Sequence, residues 1–93
     1  MLTRTVTIPN ALGMHARAAA KFVHAADAFA CRIRVSREDR AGRTVDGKSI
    51  LGLLLLAAAR GVVIRITADG ADEAGALLAL CRMVESGFGE KPC

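Results

Sequence analysis

Apolar and polar residues alternate along this chain with two different periods, and each change of period marks a new element. From Leu2 to Ile8 the period is two. Thr3, Thr5 and Thr7 fall on one side and Arg4, Val6 and Ile8 on the other, which predicts a strand buried on one face. Pro9-Asn10 stops it, and Gly13 marks a further turn. From Ala16 to about Phe29 the period lengthens, with Ala19, Phe22, Val23, Ala26 and Phe29 or Ala30 recurring at helical spacing. Alanine is the strongest helix former, so propensity and pattern agree. Cys31, Ile33 and Val35 then alternate with Arg32, Arg34 and Ser36, the clearest half-buried strand of the chain. The polar stretch Glu38–Arg43, with Gly42, predicts a hairpin turn into a short strand around Arg43–Asp46.

Ser49 precedes the apolar run Ile50–Ala59, an N-cap signature that predicts a short helix ending near Arg60-Gly61 and slightly weakened by Gly52. Val62, Ile64 and Ile66 alternate with Val63, Arg65 and Thr67 as another strand, and Asp69-Gly70 turns the chain. Ala74, Leu77, Leu78, Cys81, Val84 and Phe88 trace the stripe of a last helix, with Asp72 and Glu73 suited to its first turn. Gly87 and Gly89 mark its end, and the tail Glu90–Cys93 is expected to fray. The order is β-α-β-β-α-β-α, without repeat or linker, in a single domain over residues 1–93. Strands buried on one face imply an antiparallel or mixed sheet with helices on one side, an α+β open-faced sandwich.

Composition narrows what such a domain does. Ninety-three residues with a 53% apolar share are enough for one hydrophobic core. Aromatics amount to 3%, three Phe that each have an apolar neighbourhood, so none is spare to stack nucleic-acid bases. The net charge of +4 is scattered and forms no Lys/Arg block, which suits acidic protein partners better than nucleic acid. Cys31, Cys81 and Cys93 are odd in number and show no metal-ligand spacing; the first two fall at core-facing positions. That usage fits a reducing compartment. The N-terminus carries no signal-peptide pattern, and Ile50–Ala59 is about half the ~20 residues of a membrane span, so a cytoplasmic protein is expected.

Candidate chemistry gathers at Gly13-Met14-His15-Ala16-Arg17. His15 falls at the N-cap or first turn of the alanine-rich helix, where unpaired N–H groups and the helix dipole favour an anion, phosphate included. A helix N-terminus also disfavours imidazolium, leaving a neutral, nucleophilic ring that can carry a phosphoryl group itself, with Arg17 as a charge-assisted donor. On the residues alone this competes evenly with a polar loop-to-helix histidine of no special role. His24, in mid-helix without cap or glycine loop, reads as a solvated residue, and Lys21 as a solvated cation on the rim. Ser49 reads first as a helix cap. A phosphate there would also sit at a helix start and add negative charge beside any docking face. Ile50, Leu51 and Leu53–Leu56 exceed what a short helix can bury, so simple burial and an exposed docking patch both stand. A small basic RNA-binding α+β domain is the alternative from another class, disfavoured by the lack of free aromatics and of a basic stripe.

The segment Asn10–Phe22, with Gly13-Met14-His15-Ala16-Arg17, resembles the active-site motif of the histidine-containing phosphocarrier (HPr) family of the phosphoenolpyruvate-dependent phosphotransferase system. Lys48-Ser49-Ile50-Leu51-Gly52-Leu53 resembles that family's regulatory-serine region, and Ser86-Gly87-Phe88-Gly89-Glu90 is similar to its nitrogen-related branch. The resemblance covers essentially the whole chain. It implies a four-stranded antiparallel sheet covered on one face by three helices. It implies a monomeric covalent relay without cofactor or metal, not an enzyme with turnover of its own. His15 would take a phosphoryl group on Nδ1 from enzyme I and pass it to an enzyme IIA-type acceptor, with Arg17 stabilising the phosphate. Ser49 would be the site of HPr kinase/phosphorylase, and Met14, Ile50, Leu51 and Leu54 would contact partners; neither nucleic acid nor membrane is implied. Ala18 departs from the family, most of whose members have proline immediately after the arginine. Proline suits a first helical turn, and alanine there keeps the helix while freeing the loop before it.

Overall fold

The exposed threonines Thr3, Thr5 and Thr7 and the buried Val6 and Ile8 set the orientation of the first strand, β1 (Leu2–Thr7), with polar side out and apolar side in. The computed structural model describes residues 1–40 and 42–90. After β1 come α1 (Ala16–Ala26), β2 (Arg32–Arg37), β3 (Thr44–Asp46), α2 (Ile50–Leu55), β4 (Val63–Asp69) and α3 (Glu73–Glu85), then a 3-10 turn at Gly87–Gly89. The strands form one antiparallel sheet in the order β1-β4-β2-β3. β4 sits between strands far from one another in sequence, with Val6 opposite Ile64 and Val35 opposite Ile66. The alternation read from the sequence therefore puts Val6, Ile33, Val35, Ile64, Ile66 and Ala68 on a single buried face. The three helices lay their apolar sides on that face, an α+β open-faced sandwich. Phe22, Ile8, Ile33, Leu53, Leu56, Ile64, Ile66 and Leu80 are at most 1% exposed. Each such side chain contributes about 1.5–3 kcal/mol by leaving water.

The element ends differ from the expected ones for local reasons. α1 stops at Ala26, not Phe29, because the N–H groups of Ala28 and Phe29 turn to the carbonyls of Ala25 and Ala26, three residues back. Lys48 Nζ then donates to the Phe29 carbonyl over 2.7 Å. α2 is six residues long and does not reach Arg60. The chain turns left-handed at Ala57 (φ 53°), and the Arg37 guanidinium donates to the carbonyls of Leu56 and Ala57 at 3.4 and 3.0 Å. β2 begins at Arg32 and runs to Arg37, while β4 begins at Val63 and runs to Asp69, extending both strands along their shared ladder. On α3 the buried side is Ala76, Leu77, Leu80, Cys81 and Val84; Ala74 and Leu78, expected on that side, are exposed. Phe88 does not continue the stripe. It is in the core, 2% exposed, but enters from the 3-10 turn with φ 59°.

Cys31 and Cys81 are free and buried as expected, and burial pushes both thiols up from their ordinary pKa. Asp72, just before α3, ties that helix's start to the start of β2, accepting from the N–H groups of Ala30 and Cys31 at 2.7 and 2.9 Å. Among the described residues no helix is long and apolar enough to cross a membrane.

Candidate functional site

The loop from β1 to α1 is shaped by one glycine. Gly13 has φ +64°, and a Cβ on it would stand 2.5 Å from the Ala58 carbonyl oxygen and 2.8 Å from Ala59 Cα. No other residue allows both that conformation and that approach. The next N–H, of Met14, donates to the Ala58 carbonyl over 2.8 Å. Met14 itself is 5% exposed, so the residue expected at a docking surface packs into the core instead.

His15 follows as the N-cap of α1, with extended backbone and no capping bond from its side chain. The first helical bond runs from the N–H of Ala19 to the His15 carbonyl, 2.8 Å. The N–H groups of Ala16, Arg17 and Ala18 therefore stand at the open end of the helix with no acceptor among the described residues. Ala18, where proline is usual in the resembling family, starts no irregularity: the helix begins at Ala16, and Ala18 is buried with Ala19, Phe22 and Ala26. Alanine also supplies an N–H that proline lacks.

This helix end opens into a groove of about 970 Å³ whose lining includes His15, Arg17, Lys21, Arg60, Glu85 and Glu90. Three of those six are cations, so the groove suits an anion. Arg17 is exposed and makes no ion pair among the described residues. Lys21, read as solvated, donates from Nζ to the Phe88 carbonyl over 2.8 Å.

Glu90 was expected to fray and instead closes one side of the site; residues 91–93 of that tail lie outside the described residues. Its Oε1 is 2.5 Å from His15 Nε2, with the two side chains 23% and 27% exposed. Its Oε2 accepts from Asn10 Nδ2 over 2.9 Å, and the same nitrogen donates to the Gly13 carbonyl over 2.8 Å. The His15 hydrogen bond holds the Glu90 carboxyl below its ordinary pKa against the opposing effect of partial burial, with Asn10 and the charge of Lys21 helping. His15 Nδ1 has no hydrogen-bond partner among the described residues. Sequence reasoning missed both Asn10 and Glu90. The available signals were the asparagine at a strand end and the Gly-Phe-Gly run before the glutamate, which only a left-handed turn would require.

Ser49 is the N-cap of α2, as its position implied: its Oγ accepts from the Gly52 N–H over 3.0 Å. Beyond it α2 buries Leu53 and leaves Ile50 42%, Leu51 67% and Leu54 38% exposed. Leu55, part of the apolar run read from the sequence, adds to the exposed apolar area, as does Leu12, not singled out there, which also lines the His15 groove. His24 is exposed.

The family model described as the PTS HPr component phosphorylation site matches residues 2–86, which include His15, Arg17 and Ser49. The chain belongs to the HPr family. The Phosphocarrier protein HPr of Neisseria meningitidis (serogroup A) is 47% identical over 90 residues, 97% of this chain and 98% of that protein. That of Cupriavidus necator is 44% identical over the same shares. A crystal structure of HPr from Thermoanaerobacter tengcongensis superposes with a TM-score of 0.90 at 39% identity, covering 99% of this chain and all of that one. The sheet order and helical layer described above are thus those of an HPr, and the groove at His15 lies within the matched part of the chain, except for Gly87–Glu90.

Proposed function

We propose that this member of the HPr family relays a phosphoryl group on His15, accepting it from phosphorylated enzyme I and passing it to an enzyme IIA-type acceptor. The observation that carries the reading is the position of His15. It stands at the N-cap position of an eleven-residue helix whose first three N–H groups have no acceptor among the described residues, in a groove bordered by Arg17, Lys21 and Arg60. In the first transfer the phosphorus–nitrogen bond on the donor breaks as the Nδ1 lone pair of His15 bonds to phosphorus. The dianion arrives in a groove that the first N–H groups of α1 and the Arg17 side chain line, so donors stand close at hand; a preorganised donor is worth about 2.7–4 kcal/mol. Phosphoenolpyruvate and the chemistry of its cleavage belong to enzyme I. The exposed Leu51, with Ile50 and Leu54, supplies an apolar docking edge on α2, next to the helix that carries His15.

Ser49 gives the same surface a control point. Its hydroxyl already receives the Gly52 N–H, so a phosphate there stays at the start of α2 and need not unfold it. What it changes is the charge at the edge of the docking face, which is the effect expected of modification by HPr kinase/phosphorylase.

The test is incubation with phosphoenolpyruvate and the cognate enzyme I. The wild type takes up an acid-labile phosphoryl group and His15→Ala does not; equal labelling of the two sinks the assignment. Transfer onward to a purified enzyme IIA-type protein tests the second half of the relay.

A further inference from the structure

We infer that Glu90 is a positioning residue for this relay: it keeps the proton of His15 on Nε2, leaving Nδ1 as the nucleophile, and it pairs with the cationic ring that phosphorylation at Nδ1 creates. The inference rests on the phosphocarrier reading and adds to it a residue outside the Gly13–Arg17 motif.

An ionised carboxylate only accepts hydrogen bonds, so the contact between Glu90 Oε1 and His15 Nε2 requires the proton on Nε2. In the neutral ring the lone pair then belongs to Nδ1, the ring nitrogen without a partner among the described residues. The carboxylate is itself held. Asn10 uses Nδ2 for both Glu90 Oε2 and the Gly13 carbonyl, which fixes the orientation of its amide. Asn10 is 8% exposed, and its Oδ1 is buried without a partner among the described residues. An amide kept at the cost of an unsatisfied acceptor is better explained by what it holds than by its own contribution to stability.

The backbone that delivers Glu90 is over-determined in the same way. Gly87, Phe88 and Gly89 are three successive left-handed residues, at φ 70°, 59° and 76°. A phenylalanine there is strained, and it is retained by burial of its ring and by the Lys21 bond to its carbonyl.

The electron count gives the pairing a chemical consequence. When the Nδ1 lone pair bonds to phosphorus and the donor nitrogen recovers its own pair, Nε2 keeps its hydrogen and the ring becomes a cation. That cation is the better leaving group for the second transfer, in which the phosphorus–Nδ1 bond breaks and the ring returns to neutral. Loss of the Nε2 proton would leave a neutral phosphorylated ring that releases its group less readily. Glu90 opposes that loss. The other charged groups on the groove are Arg17 and Lys21 from α1, Arg60 from the loop after α2, and Glu85 at the end of α3. Three cations against one further carboxylate favour the dianion but not the cationic ring, and among the described residues Glu90 alone bonds to the ring.

The variant E90Q tests this with nearly unchanged shape. Asn10 still needs an acceptor, so the new amide turns its oxygen to Asn10 and its NH2 to His15, which drives the ring proton to Nδ1. In 15N NMR of the unphosphorylated full chain, above the pH at which the ring is neutral, wild type shows the Nε2–H tautomer and E90Q shifts toward Nδ1–H. In transfer to an enzyme IIA-type acceptor, E90Q loses rate roughly tenfold in kcat, with KM little changed, and its pH–rate profile falls off about one unit lower. An unchanged tautomer together with an unchanged pH profile in folded E90Q overturns the inference. If wild type itself takes up no phosphoryl group, the carrier reading fails, while the tautomer measurement still decides whether Glu90 sets the ring.

Discussion

The N–H of Met14 donates to the carbonyl of Ala58 over 2.8 Å, tying the loop before His15 to the loop that ends α2. The contact is close enough that the preceding residue has no room for a side chain. Gly13→Ala would bring a Cβ to 2.5 Å from the same oxygen while holding φ at +64°. We expect a loss of about 1–3 kcal/mol in urea unfolding and slower phosphorylation despite an intact His15. Gly61→Ala separates the two causes: φ there is +87°, but nothing lies within 4 Å of the added Cβ, so only the backbone strain remains. Equal losses at both positions would show that the Ala58 contact does not constrain the loop.

Arg17 offers a cleaner separation of chemistry from stability. It is exposed, with no ion pair among the described residues, and it lines the groove. Arg17→Ala should leave the thermal midpoint within about 1 °C and lower phosphoryl uptake from enzyme I roughly 10- to 100-fold. Arg17→Lys should recover only part, because an ammonium cannot match the guanidinium's paired donors. The comparison needs initial rates of phosphorylation beside melting curves.

Period and punctuation carried the sheet, the three helices and both helix starts into view, because those depend on residues near one another in sequence. His15 and Arg17 were legible for that reason, and so was Ser49 as a cap. Glu90 was not. Its partners His15 and Asn10 are 75 and 80 residues away, and its placement depends on Phe88 turning left-handed to reach the core. The C-terminal end of α2 was misjudged for a related reason. The apolar run through Ala59 continues a helical pattern, but the Arg37 guanidinium and the close approach of Gly13 and Met14 to Ala58 claim the carbonyls that would prolong it. Met14, which the resemblance put among the partner contacts, lies in the core, in a loop that folds back onto the distant Ala58.

Acid sensitivity should centre on Asp72. The N–H of Ala30, then Cys31, holds its carboxyl below its ordinary pKa against partial burial. A carboxyl depressed in the folded state stabilises fully above its unfolded value, about 3.9, and loses that contribution as pH falls through the folded value. Asp72→Asn should therefore melt lower than wild type at pH 7, and the gap should narrow below about pH 4. A gap that stays constant from pH 7 to pH 2 would mean that the charge on Asp72 does not stabilise the fold. Glu73 and Glu90, depressed in the same direction, make the wild type's own acid limb steeper.

Substitutions at Ser49 can tell a cap from a switch. Ser49→Ala removes the acceptor of the Gly52 N–H and should cost about 0.5–2 kcal/mol in stability, with docking unchanged because the α2 surface keeps its apolar side chains. Ser49→Asp restores a side-chain acceptor at the same position, so stability should return close to wild type. It also places a negative charge beside Ile50 and Leu51, where an apolar partner surface has to approach. The expected signature is a raised KM for phosphorylation by enzyme I with kcat little altered, since His15 and its helix end are untouched. If Ser49→Asp and Ser49→Ala give the same KM as wild type, the serine is a cap and the docking face does not respond to its charge.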